Sequence, residues 1–344
     1  MRDAKPDYGT GTARVSLNRR LISKVLSPAP SPALNRPRLL RLHKQEVTGR
    51  FVLMTAAHNE ENFIEGAIQS VLAQTVRPER WVIVNDNSND RTGDIVDAYA
   101  RQHDFIHAQH VSRPPGRDFR SKVLALQKAG KLIEDVKYDF IGNLDADVSL
   151  ESGYFEGLLR EFGRRPQLGI CGGFVHEPSK RGYRSLQLND IRNVWHAAQL
   201  VRRECYDAIG GYPILKYGGE DWYAQTKARM IGWQVEAVPK LSILHHRPTA
   251  GSSSLRNAFR LGRLDYSFGS DPVFEVIKCL RRLGEKPILA SSFARLLGFV
   301  WPCICREQKA VPEDLAAFLR REQKERLRLM FSRRESPKTA NYPA

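Results

Sequence analysis

Phe51-Val52-Leu53-Met54-Thr55-Ala56-Ala57 carries no charge and only one hydroxyl. A continuous apolar run of this length reads as a strand buried on both faces, because a half-exposed strand would alternate polar and apolar residues. Glu60 to Leu72 follows, with Phe63, Ile64, Ala67, Ile68, Val71 and Leu72 at spacings of three and four, the mark of an amphipathic helix. Trp81-Val82-Ile83-Val84 then repeats the strand signal. The polar loop Asn85-Asp86-Asn87-Ser88-Asn89-Asp90 ends it, and Thr92 to Tyr99 has the next helical pattern. Strand, helix, strand, helix predicts an α/β fold with a mostly parallel sheet and right-handed crossovers. A helix over Ser121 to Ile133 and a strand over Phe140 to Leu144 extend it. In such a sheet the ligand crevice lies at the C-terminal ends of the strands.

Around this core, 344 residues suffice for one substantial domain with some length left over. The sequence divides into a basic N-terminal tail (1–46), a catalytic region (47–250) and a basic helical C-terminal region (251–344). Met1 to Asn35 mixes Pro, Ser, Asp and Arg without an apolar centre, so no secretory signal is expected. Arg36, Arg38, Arg41 and Lys44 interleave with Leu39, Leu40 and Leu42 at the end of the tail, which suits a short surface helix or a solvated linker. The net charge of +16 calls for an anionic partner without choosing among nucleic acid, lipid headgroups and phosphorylated substrates. The five cysteines, Cys171, Cys205, Cys279, Cys303 and Cys305, have no zinc-type spacing and suit a reduced, cytoplasmic setting.

The polar residues cluster where the sheet puts ligands: His58, Asn59 and Glu60 after the first strand, Asp86 and Asp90 after the second, and Asp145-Ala146-Asp147 after Phe140 to Leu144. Two carboxylates two residues apart on an extended loop let one ligate Mg²⁺ or Mn²⁺ while the other reaches a ribose or base. No Gly-x-Gly-x-x-Gly and no Gly-Lys-Ser/Thr loop follows Phe51, so dinucleotide and P-loop readings lose their main support. A bound cation, with Arg120 or Lys122, would then supply the counter-charge to phosphates.

In four ordered segments the stretch Val52 to Thr249 resembles glycosyltransferase family 2, the inverting nucleotide-sugar transferases of the GT-A fold. Thr55-Ala56-Ala57-His58-Asn59-Glu60 is similar to the family's first nucleotide-binding loop. Val84 to Asp90 is similar to its Asp-Asp-Gly-Ser-x-Asp segment, with Asp86 as the acid that contacts the base, although Asn85 replaces the first acid and Asn87 the glycine. Leu144-Asp145-Ala146-Asp147 resembles the metal-binding Asp-x-Asp, which assigns Asp145 to the ribose and Asp147 to the cation. Gly218-Gly219-Glu220-Asp221-Trp222 resembles the acceptor segment, which makes Asp221 the general base.

The resemblance implies nucleotide-sugar binding by Ala56, His58, Glu60, Asp86, Lys122 and Asp145, with a UDP-sugar favoured as donor. Glu220 would contact the acceptor or raise the pKa of Asp221 by like-charge repulsion, and Trp222 would stack on the acceptor. Either His245 or His246, at the end of the apolar segment Leu241 to Leu244, could complete the metal shell; related transferases favour His246. No Gln-x-x-Arg-Trp follows Gly251, which argues for transfer of a single sugar rather than processive synthesis.

After Gly251, Arg256, Arg260, Arg263, Lys278, Arg281 and Arg282 alternate with apolar residues at helical spacing. Ile288 to Ile304 is the longest apolar stretch, but Arg295 and Pro302 interrupt it, so a helix lying in an anionic membrane surface, or one packed on the core, fits better than a spanning helix. The expectation is a peripheral enzyme on the inner face of the cell membrane, acting on a lipid-linked or polysaccharide-precursor acceptor and not on nucleic acid. A sugar nucleotidyltransferase and a basic nucleic-acid-binding protein are the competing readings.

Overall fold

In a computed structural model the described residues are 49–112, 120–186, 189–248, 254–283 and 289–332. All belong to one compact unit, Glu46–Ala344. The N-terminal tail and the residues from Arg333 onward lie outside them. The anticipated strands are β1 (Phe51–Ala57), β2 (Arg80–Asp86) and β4 (Phe140–Leu144). The anticipated helices are α1 (Ile64–Leu72), α2 (Thr92–Ala100) and α3 (Arg120–Lys131). A strand not foreseen, β3 (Ile106–Val111), pairs parallel with β2.

The chain continues through β5 (Val148–Leu150), α4 (Tyr154–Arg164), β6 (Leu168–Ser179), β7 (Gly182–Ser185), β8 (Ala198–Arg202), α5 (Arg203–Ile209), α6 (Glu220–Met230) and β9 (Gln234–His245). The sheet order is β3-β2-β1-β4-β8-β6-β9-β5, with β7 beside β6. Its first four strands are parallel, β8 is inserted antiparallel against β4, and β6 and β9 run parallel to each other. The architecture is therefore the expected α/β sheet flanked by helices.

Alternation along β1 and β2 covers both faces of the sheet. Phe51, Leu53 and Ile83 pack with Ile68 of α1 and Phe155 of α4. Val52, Met54, Val82 and Val84 pack with Leu126 of α3 and Ala224 of α6. Each such side chain, once buried, contributes about 1.5–3 kcal/mol. Burial on both sides leaves the strand ends as the place where polar side chains meet solvent, and the loops there carry the site.

Four helices form the C-terminal region: α7 (Leu255–Ser267), α8 (Pro272–Arg281), α9 (Ala290–Ile304) and α10 (Glu313–Ser332). Helices α7 and α9 cross through two glycines. A Cβ on Gly262 would lie 1.9 Å from the Arg295 carbonyl oxygen, and one on Gly298 2.0 Å from that of Phe259. Arg295, which breaks the apolar stretch in sequence, points inward: its guanidinium pairs with Asp265 of α7 and Glu275 of α8. The opposite face of α9 is apolar and exposed, with Phe293 and Ile304 each 69% exposed and Trp301 48%. Among the described residues no helix is long and apolar enough to cross a membrane.

Candidate functional site

The loops after β1 and β2 are stapled together. Ser88 Oγ accepts from the Asn59 amide at 3.0 Å, Thr92 Oγ1 from Glu60 at 2.7 Å and Asp90 Oδ2 from Glu61 at 3.1 Å. Asp90 is thus a loop strap. Asn59 (φ 57°) and Asn87 (φ 56°) both take left-handed backbone, a conformation that asparagine tolerates better than other side chains. Asn87 therefore preserves what a glycine does at that position. Asn85 turns aside to bond His110 Nδ1 at 3.1 Å.

Between these loops and the end of β4 lies a cleft of about 530 Å³. Ala56, His58, Glu60, Asp86, Lys122, Asp145 and Asp147 all line it, so every residue expected at the nucleotide meets there. His58 Nδ1 donates to the Asp86 carbonyl at 2.6 Å, joining the two loops across the cleft mouth. From the start of α3, Lys122 Nζ donates to Asp145 Oδ1 at 2.6 Å. Burial disfavours its charge, but Asp145 and Glu220 more than compensate and raise its pKa.

His245 turns its ring to the Asp147 carboxylate, whereas His246 donates its amide to the Asp147 carbonyl at 2.9 Å. The Nε2 of His245 lies 3.3 Å from Asp147 Oδ2 and its Nδ1 3.7 Å from Glu177. The His246 ring turns away: Nδ1 bonds the Tyr183 hydroxyl at 2.7 Å and Nε2 bonds Ser149 Oγ at 3.0 Å. Both nitrogens of His246, the histidine expected at the metal, are thus engaged by other side chains. Arg247 was not anticipated. It bridges two acids, Asp147 Oδ2 at 2.7 Å and Glu60 Oε1 at 2.6 Å. Burial alone would raise the pKa of Asp147; the hydrogen bond from His245 and the charges of His245 and Arg247 instead hold it far below the usual carboxylate range. Burial raises that of Glu60 despite Arg247.

Among the described residues no cluster of three or more His, Cys, Asp or Glu side chains surrounds one point. A carboxylate and an imidazole are nevertheless donors that Mn²⁺ and Mg²⁺ accept, and a cation at a diphosphate takes its remaining ligands from phosphate and water. The buried Glu60 Oε2, which has no partner, adds an oxygen to the same wall. Asp147 and His245 fit a cation held partly by its substrate.

Gly218 (φ 81°) and Gly219 (φ 93°) are both left-handed, a path open to glycine that swings the chain into α6. Glu220 and Asp221 form its first turn. Burial, then the charge of Glu220, raises the Asp221 pKa to about 6. Trp222 lines the same cavity as Asp221, but one ring face is covered by Phe268, stacked at 4.2 Å and 12°.

The acids and the lysine expected at the strand ends of an α/β sheet thus gather in one polar cleft. Residues 53–213 match the sequence model of glycosyl transferase family 2, and the chain carries a glycosyltransferase domain of that family. Poly-beta-1,6-N-acetyl-D-glucosamine synthase of Staphylococcus epidermidis is 27% identical over 139 residues, 40% of this chain and 31% of that protein. The uncharacterized glycosyltransferase EpsJ of Bacillus subtilis is 29% identical over 142 residues, 41% of this chain and 38% of that one. The chain thus spans about a third of the length of these curated relatives. Among solved structures, the mannosyltransferase PcManGT from Pyrobaculum calidifontis in complex with GDP-Man and Mn²⁺ overlaps with a TM-score of 0.49 at 17% identity over 81% of each chain. S. aureus TarS 1–349 in complex with UDP-GlcNAc gives 0.48 at 13% identity over 73% of this chain and 71% of that one.

Proposed function

We propose that the chain transfers a single sugar, with inversion, from a nucleoside diphosphate to a hydroxyl of a lipid-linked or polysaccharide-precursor acceptor. A UDP-sugar is the favoured donor. The observation that carries this reading is the convergence of Asp86, Asp145, Asp147 and Lys122 in one cleft, with Asp221 close enough for its charge to act on Lys122.

In this mechanism Asp86 contacts the base, and Asp145, steadied by Lys122, contacts the ribose. Asp147 and His245 would hold a divalent cation, which supplies charge neutralisation to the departing diphosphate. Asp221 takes the proton from the acceptor hydroxyl as its oxygen attacks the anomeric carbon. The bond to the diphosphate oxygen breaks with its electron pair leaving on the diphosphate, and a single displacement inverts the carbon. A carboxyl with a pKa near 6 is a stronger base than an ordinary aspartate and is still ionised at neutral pH.

The catalytic region is taken as residues 47–250 and the helical region as 251–344, lying on the inner face of the cell membrane. The outward apolar face of α9 supports that location. So do the 18 Lys and Arg against 10 Asp and Glu after residue 250.

The test is a screen of UDP-, GDP- and dTDP-sugars for metal-dependent thermal shift and donor hydrolysis, comparing the parent with Asp147→Ala and Asp221→Asn. Asp147→Ala should lose the metal-dependent shift; Asp221→Asn should keep it and lose transfer. Donor and metal binding by Asp147→Ala equal to the parent's would overturn the assignment.

A further inference from the structure

A second cavity, of about 490 Å³, opens among α6, α8 and α10. Asp221, Trp222 and Arg229 of α6 line it, with Lys278 and Arg282 at the end of α8 and Arg326 of α10. Asp221 lines the chamber, and its charge also acts on Lys122 of the cleft. Arg229 is eight residues along the same helix, about 12 Å from Asp221 at the helical rise. A third, smaller cavity shares Arg229, Glu322 and Arg326 with the chamber and adds Arg192, Arg321 and Glu325.

The cations here are unequally matched. Lys278 is spent on Asp265 at 2.9 Å and Glu275 at 2.7 Å. Arg229 gives Nε and Nη2 to Glu322 at 2.8 and 3.2 Å, but its Nη1 is buried without a partner. Among the described residues Arg326 forms no hydrogen bond or ion pair. Burial, and then the neighbouring charge of Arg229, push its pKa down, against the opposite pull of Glu322 and Asp190. Two arginines presenting unused N–H groups into a cavity match the oxygens of a phosphoryl group, which accept charge-assisted hydrogen bonds.

We propose that this chamber is the acceptor site and that Arg229 and Arg326 bind a phosphoryl group of the acceptor while its sugar hydroxyl reaches Asp221. The proposal rests on Asp221 as the base and adds a substrate class: a glycan or sugar that carries phosphate.

The experiment uses the full chain and titrates inorganic phosphate and glucose 1-phosphate by calorimetry, for the parent and Arg326→Gln, with and without UDP. Because Arg326 has no partner to lose, the variant should keep its melting temperature. Arg326→Gln should weaken both phosphates at least tenfold and leave UDP affinity unchanged. Equal phosphate affinity in parent and variant would overturn the proposal, as would displacement of phosphate by UDP, which would put the anion in the donor cleft. Vesicles of phosphatidic acid form the second arm. A loss confined to them would make Arg326 a membrane contact and would overturn the proposal equally. Failure of UDP to bind the parent would count against the transferase reading, while the phosphate comparison still decides the chamber.

Discussion

His245 Nε2 stands 3.3 Å from Asp147 Oδ2, while the ring of His246, one residue on, is turned to Tyr183 and Ser149. His246 lies just past the end of β9, where its amide donates to the Asp147 carbonyl at 2.9 Å and its ring is left to other partners.

His245→Ala should therefore raise the apparent dissociation constant for Mn²⁺ in the presence of UDP by about tenfold or more, the usual scale for losing a group that holds or orients a metal ligand. His246→Ala should change it by less than about threefold, because its ring serves the strand and not the ion. Metal titrations followed by thermal shift separate the two. The reverse order of effects would return the role to His246.

Asp221 links activity, pH and stability. Its folded-state pKa, about 6 against an ordinary 3.8, means that the folded chain holds this proton more tightly than the unfolded chain. Stability therefore falls as pH rises through that window and is unaffected below it. Asp221→Asn should stabilise the fold at pH 7.5 by on the order of 3 kcal/mol, raising the melting temperature there, and leave it unchanged at pH 4. Transfer should meanwhile drop by about 10²–10⁴-fold. Glu220→Gln removes the like charge, so the acidic limb of the parent's pH–rate profile should move to lower pH. A melting curve for Asp221→Asn that coincided with the parent's at both pH values would contradict the account.

The helix crossing sets up a contrast between two glycines. Gly298→Ala places a methyl 2.0 Å from the Phe259 carbonyl oxygen and should destabilise the chain by about 3 kcal/mol or more. Gly66→Ala, in α1, meets nothing within 4 Å and should stabilise by about 0.5–1 kcal/mol. Denaturant melts of the two variants read the difference directly.

The apolar face of α9 should govern association with lipid. Phe293→Ser combined with Trp301→Ser should abolish flotation with anionic vesicles at moderate salt, leaving donor hydrolysis within about twofold of the parent. Flotation undiminished in the double variant would remove α9 from the membrane contact.

Much of the first half of the fold could be read directly from the chain. The runs Phe51 to Ala57 and Trp81 to Val84 are buried on both faces, and such strands announce themselves as uninterrupted apolar segments. The cleft residues were equally legible, since they follow those strands by sheet geometry. The second half was not. Strands β6 and β9 contain Gly172, Gly173, Pro239 and Lys240, which dilute any strand pattern. Their pairing also slips where Gly173↔Val238 gives way to Phe174↔Ser242. A slip of this kind breaks the parity by which alternate residues are assigned to faces, which is why the sequence could not decide between His245 and His246. Arg247 had a faint signal, a cation following two histidines near acids, but its partner Glu60 lies 187 residues away in sequence and the contact is a product of the fold. Arg295 was legible only as an interruption; its partners Asp265 and Glu275 lie on separate helices.

Helix α9 thus has its sides exchanged relative to a helix of an ordinary soluble domain, with the guanidinium inside and Phe293, Trp301 and Ile304 outside. The consequence is colloidal. In dilute buffer the excess of positive charge keeps copies apart, while added sulfate both screens that repulsion and strengthens apolar association. Such a protein salts out early and is kept dispersed by low ionic strength or by amphiphiles that cover one helix.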